Sequence, residues 1–176
     1  MGAHIGPTKS HTTSRIHDDT FRAGTALFGH LGIEWNLLEV SGQQKADISQ
    51  WIQHYKKYRH ILHHGKQWRL PSADGRAQTQ WALSHDGLQG IALYCQLTMP
   101  KQAQTLKVCL PGLLAEQNYQ IKIVANSPLP AHLMKALPPW WQEGVTLNGA
   151  SLALHGLQMP IMDPESLLLL SVTAVP

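Results

Sequence analysis

The chain has 176 residues, enough for one medium domain or for a small domain joined to part of another. Hydrophobic residues make up 43% and charged residues only 14%, against about 25% charged in an average soluble domain, so part of the surface reads as built to be covered. The net charge of +3, with 11 histidines besides, is not gathered into one block and no aromatic-basic module accompanies it, which argues against nucleic acid as a partner.

In chain order, Met1–Ile5 is a short, mostly apolar segment ended by Gly6-Pro7, a strand followed by a loop. Thr8 to Arg15 is polar and rich in hydroxyls, hence loop. Asp18-Asp19 supplies a helix N-cap and an acidic first turn, and Phe21, Leu27, Phe28 and Leu31 recur at roughly helical spacing until Gly32, where a helix would stop. Strand, loop, helix is the half-unit from which α/β barrels are built. Residues 33–40 read as a further helical turn or an extended link. Ser41 with Gln44 is a capping-box pattern. It opens a helix whose apolar face is Ile48, Trp51, Ile52, Tyr55, Tyr58 and Leu62, whose last turns carry Lys and His residues suited to the negative end of the helix dipole, and which Gly65 ends.

From Gln67 the segments become short, alternate in polarity and are separated by turn residues. Strands are expected at 68–70, 79–83, 90–98, 104–110, 119–124, 145–147, from 152 onward, and at 167–174. Seven or eight such strands at hairpin spacing predict an antiparallel β-sandwich. Ala131–Leu137 and Pro138-Pro-Trp-Trp141 interrupt it as a helical turn and an aromatic loop. The run Leu167–Leu170 is far too short to span a bilayer, and no signal peptide opens the chain, so no membrane is expected and a cytoplasmic location is the default. Cys95 and Cys109 fit neither a metal knuckle nor a CxxC pair. Reduced core cysteines are expected, with a disulfide between neighbouring strands left open.

Few groupings suggest chemistry. His60 and His64 stand one helical turn apart beside His63, but without the glutamate of HExxH or a nearby Cys or Asp set they read as a basic helix end, and no metal is expected. Trp140-Trp141, after two prolines, fits a sugar-stacking platform, or packing over the sandwich edge or against a neighbouring domain. Adjacent Asp18 and Asp19 diverge in direction, whereas paired catalytic carboxylates must face each other at roughly 5–10 Å, so capping is their expected role. There is no GxSxG and no phosphate-binding Gly-rich loop.

One long pattern ties these pieces together. Met1-Gly-Ala-His-Ile-Gly-Pro7, Ser10-His-Thr-Thr-Ser-Arg15, Phe21-Arg-Ala-Gly-Thr-Ala-Leu-Phe-Gly-His30 and Gly32-Ile-Glu-Trp-Asn-Leu37 resemble the last strand and following helix of the catalytic barrel in bacterial α-galactosidases of glycoside hydrolase family 36. Residues 41–65 resemble the long helix leaving that barrel, and 150–168 resemble the end of the family's C-terminal β-sandwich. The resemblance implies an α+β chain: residues 1–65 as the end of a (β/α)8 barrel, one strand plus two helices, and 66–176 as an antiparallel β-sandwich. It also implies a retaining hydrolase of terminal α-galactosyl groups in raffinose- and melibiose-type sugars, without cofactor, whose relatives form homo-oligomers. The family's nucleophilic and acid/base aspartates lie upstream of the Met-Gly-Ala-His segment, so this chain is expected to hold no catalytic residue, to need the N-terminal catalytic portion as a partner, and to be inactive alone. His4 and Arg15, at the barrel face where active sites are built, would line the rim of the sugar pocket or brace its loop. The competing expectation is a stand-alone β-sandwich module that binds carbohydrate, through Trp140 and Trp141, or assembles subunits.

Overall fold

The computed structural model describes residues 2–100, 107–129, 133 and 137–176. The chain begins with β1 (Gly2–Ile5), α1 (Asp19–Leu27) and β2 (His30–Ile33). Asp18 caps α1 by accepting from the Phe21 amide at 2.8 Å, the role its position predicts. The helix does not run to Leu31. It ends at Leu27, the Gly29 amide bonds back to Ala26, and the next four residues pair in parallel with β1, Gly2 opposite His30 and Ile5 opposite Ile33. A four-residue strand is too short to display an alternation, and Leu31 lies on the apolar side by either period. The order is therefore strand–helix–strand, a complete βαβ unit in which β1 is not the last strand. Residues 36–39 then make a turn, with the Glu39 amide on Asn36.

Helix α2 (Gly42–His64) opens with the capping box: the Ser41 hydroxyl accepts from the Gln44 amide, and the Gln44 side chain accepts from the Ser41 amide, each at 3.2 Å. Ile48, Trp51, Tyr58, Ile61 and Leu62 form its buried stripe. Gly65 separates it from β3 (Lys66–Pro71), which is followed by β4 (Ala77–Leu83), β5 (Gln89–Gln96), the short β6 (Lys107–Val108), β7 (Asn118–Asn126), β8 (Val145–Asn148), α3 (Gly149–Leu154), β9 (Leu157–Gln158) and β10 (Ser166–Val175). The first part of the strand expected from Gln104 lies outside the described residues, as does most of the helical turn expected at Ala131–Leu137.

Six strands form one antiparallel sheet in the order β3-β4-β5-β10-β7-β8, and β6 pairs with β9 apart from it. The mostly antiparallel α+β character read from the sequence is present. Both faces of the sheet are covered. On one, Ile91, Leu93, Cys95, Leu167 and Leu169 meet Ile5, Ala23, Leu27, Trp51 and Leu62 of the βαβ unit and α2. On the other, Ala92, Tyr94, Leu168, Leu170 and Val172 join Trp81, Leu110, Trp140, Leu157, Met159 and Met162. A central strand buried on both sides has no polar face, which explains the unbroken Leu167–Leu170 run. Each Leu in such a core contributes about 1.5–3 kcal/mol relative to exposure.

Two details fix the edges of this arrangement. Gly24 of α1 lies against Leu167 and Trp51, so close that a side chain there would require the Leu167 side chain to shift. Tyr119, fully buried, donates to the Gly87 carbonyl at 2.8 Å and accepts from the Leu114 amide at 3.0 Å, tying two connecting loops to the start of β7.

Candidate functional site

Parallel strands send their following loops to one end, and in α/β architectures that end builds the active site. Here it carries the 6–17 loop after β1 and residues 34–40 after β2. His4 lies across Gly32 in the ladder, and its ring fills the space above that glycine, so a side chain at position 32 would displace it. The His4 Nδ1 is 3.7 Å from a Glu34 carboxylate oxygen, and both side chains are more than half exposed. The Glu34 amide bonds to the Ile5 carbonyl at 3.0 Å, extending the β1–β2 ladder by one rung.

Arg22 of α1 organises the ground beneath. Its guanidinium donates to the Gly6 carbonyl, pairs with Asp19 and lies over the Trp35 ring at 4.8 Å. A nearly buried guanidinium thus holds the ends of both strands in place. Asp18 spends one oxygen on the Phe21 amide and faces the Ser127 hydroxyl with the other, and Asp19 is paired with Arg22. Glu34 is left as the exposed carboxylate beside His4. This group can hydrogen-bond a polyol, but glycoside cleavage needs two carboxylates facing one bond.

Arg15 lies in the same loop, and its guanidinium is ion-paired with Glu165, just before β10; His17 Nε2 is 3.1 Å from the other oxygen of that carboxylate. The structure therefore brings His4 and Arg15 to the same loop-bearing end, with Arg15 already engaged. Trp140 and Trp141 lie elsewhere. Trp140 is 7% exposed, in the core on the far side of the sheet, with its indole N–H donating to the Gln158 carbonyl at 3.0 Å. Trp141 packs half-buried beside it, ring centroids 6.2 Å apart. The sequence shows Glu34 and Glu165 only as isolated carboxylates and gives Trp35 no role. Glu34 and Trp35 become visible once β2 is recognised, because they are the first residues past its end. Glu165 carries no local signal, since its partners are some 150 residues away.

Of the histidines at the end of α2, His60 and His64 are exposed and His63 packs. The rings of His30 and His63 stack at 4.4 Å and 7°, and His63 Nε2 meets the Tyr55 hydroxyl at 2.7 Å. Burial, then the neighbouring His30, His64 and Arg59, hold the His63 pKa below its ordinary value. His30 and His63 border a cleft of about 340 Å³ shared with Thr25, Gln67 and Arg69. Among the described residues no group of three or more His, Cys, Asp or Glu side chains is placed to hold a metal ion.

Residues 1–65 match the Melibiase family model. The chain is 33% identical to the α-galactosidase of Escherichia coli across 98% of its own length, but spans only 25% of that enzyme. It superimposes over its whole length on the α-galactosidase of Lactobacillus brevis with a TM-score of 0.82 at 25% identity, covering 22% of that chain. It shares its fold, at 21% identity and a TM-score of 0.81, with a variant of the family 36 enzyme AgaA of Geobacillus stearothermophilus solved with raffinose, again covering 22% of that chain. Over its whole length the chain matches the C-terminal portion of the α-galactosidases of glycoside hydrolase family 36.

Proposed function

We propose that this chain serves as the C-terminal part of a retaining α-galactosidase acting on raffinose- and melibiose-type sugars. In this reading residues 1–65 complete a (β/α)8 barrel and 66–176 form the sandwich domain that backs it. The observation that carries it is the 33% identity to the E. coli enzyme across 98% of the chain, joined to a βαβ unit whose strand ends present His4, Glu34 and the 6–17 loop on one side. His4 lines the rim of the sugar pocket, and Arg15 braces the loop that forms it. If sugar stacks on the tryptophan pair, it does so on Trp141, because the Trp140 ring is enclosed.

In such an enzyme one carboxylate attacks the anomeric carbon and a second protonates the leaving oxygen. Both come from the N-terminal catalytic portion, which makes that portion the partner of this chain. Alone, the chain offers hydrogen-bonding groups but neither nucleophile nor acid, and positioning without them leaves most of the barrier standing. No helix of the described residues is long and apolar enough to cross a membrane, and both cysteines are free thiols. A cytoplasmic location and a homo-oligomeric assembly belong to the same proposal, as the family resemblance implies.

The test is hydrolysis of a chromogenic α-galactoside by the purified chain, beside the same chain mixed with a separately expressed N-terminal catalytic portion of the E. coli relative. Activity only in the mixture is expected. Activity of the chain alone, or silence of both, refutes the reading.

A further inference from the structure

Beyond β1, residues 8–17 fold back on themselves. Lys9 and Ile16 form an antiparallel bridge, the Ser10 amide bonds to the Arg15 carbonyl at 2.9 Å, and the Ser14 amide bonds to the Ser10 carbonyl at 2.9 Å. The near side of this hairpin rests on α1 and α2, where the Thr8 hydroxyl accepts from Arg22 at 3.5 Å and from the Gln44 side chain at 3.4 Å. Its far side meets the sheet. There Glu165 takes the Arg15 guanidinium and faces His17 at 3.1 Å, while His17 is stacked on Phe21.

Glu165 is itself held in a fixed pose. Its φ is +58°, a conformation uncommon for a residue other than glycine, and its amide bonds to the Gln96 carbonyl at the end of β5 at 2.8 Å. The surrounding backbone thus imposes the turn, a pattern typical of sites where geometry matters more than local stability. Next to it the Ser127 hydroxyl accepts from the Leu167 amide at 3.1 Å and reaches Asp18 at 3.3 Å. The loop and the first turn of α1 are therefore fastened to the sheet, not only to the βαβ unit.

We propose that Glu165 is a positioning residue for sugar binding: from the sheet, through Arg15 and His17, it holds the 6–17 hairpin in the pose that edges the sugar pocket. The sheet then acts on the site at a distance, and galactoside affinity is set in part by a residue that touches no sugar. This inference rests on the α-galactosidase reading. An ion pair of this exposure shifts a local equilibrium by about two- to fivefold, so its loss loosens the hairpin without unfolding the chain.

The experiment has two arms. In the 176-residue chain, amide hydrogen exchange is measured for wild type, Glu165→Gln, Arg15→Glu, and the charge swap Arg15→Glu with Glu165→Arg. Exchange at residues 10, 14 and 17 is expected to rise about two- to fivefold in the single variants, to return toward wild type in the swap, and to stay unchanged in α2. In the mixture with the catalytic portion, Glu165→Gln is expected to raise the KM for melibiose by more than it lowers kcat. Unchanged hairpin exchange, or a swap that fails to restore it, overturns the latch. Faster exchange with an unchanged KM overturns the positioning role. A mixture inactive with the wild-type chain refutes the α-galactosidase reading instead, and the exchange arm still decides the latch.

Discussion

Replacing Gly24 with Ala sets two physical effects against each other. Gly24 sits in the middle of α1, where helix propensity alone favours Ala by about 0.8–1 kcal/mol. The structure reverses the sign. A methyl built at position 24 overlaps a δ-methyl of Leu167 and comes within 3.3 Å of the Trp51 ring. Leu167 is fully buried in the central strand, so its side chain yields only by repacking against buried neighbours, and overpacking of this kind costs about 1–3 kcal/mol. The net expectation is a loss of about 1 kcal/mol, or roughly 2–4 °C in melting temperature for a chain of this size. The second half of the test is Leu167→Ala, which alone opens a cavity and costs about 2–5 kcal/mol. In that background the added methyl has room, and Gly24→Ala is expected to stabilise. Urea unfolding of the four proteins, followed by tryptophan fluorescence, gives a coupling energy expected near 2 kcal/mol. If Gly24→Ala stabilises the wild-type chain, or the two changes are additive, then α1 does not pack on β10 at this distance and the reasoning fails.

Tyr119→Phe removes the hydroxyl that serves both Gly87 and Leu114, leaving two backbone groups short of a partner; a loss of about 1–3 kcal/mol in urea unfolding is expected, and less than 0.5 kcal/mol would mean that water reaches them. The pH dependence follows from His54 and His63. Burial, followed by Lys57, lowers the His54 pKa below 6.5, and His63 is lowered as well. The unfolded chain therefore takes up these protons first, so stability is full above about pH 7 and falls as pH drops through 6.5. Melting temperatures between pH 7.5 and 5 should show this slope, and the pair His54→Gln, His63→Gln should flatten it. Of the two thiols, Cys95 is buried with its pKa pushed up to about 12, whereas Cys109 is exposed. A disulfide reagent is expected to titrate one thiol in the native chain and two in denaturant; two fast-reacting thiols would contradict the burial of β5.

What could be read in advance depended on how local the cause was. The Ser41–Gln44 box, the Asp18 cap and most of the α2 stripe are set by residues within one or two turns, and each is where the sequence places it. Strand β2 was hidden because four residues carry no measurable period. Strand order was hidden for another reason: β10 lies between β5 and β7, and nothing in the Leu run says which neighbours it takes. Nor does that run say that helices from the first 65 residues cover one face of the sheet. At the site, His4 and Arg15 were accessible through a resemblance over 37 residues. Glu34 and Trp35 needed β2 first, and Glu165 needed the packing of the whole chain.

The position of β10 has a consequence for synthesis. The strand that joins the two halves of the sheet is the last of the described strands to leave the ribosome. Until it emerges, β3–β4–β5 and β7–β8 are separate pieces with unpaired edges, and the apolar stripes of α1 and α2 have only part of a sheet to rest on. The long-range pairing that closes the sheet comes late, and such contacts form slowly. A nascent chain of this kind exposes sticky edges for as long as translation lasts. It should therefore depend on chaperones during synthesis far more than its final packing suggests.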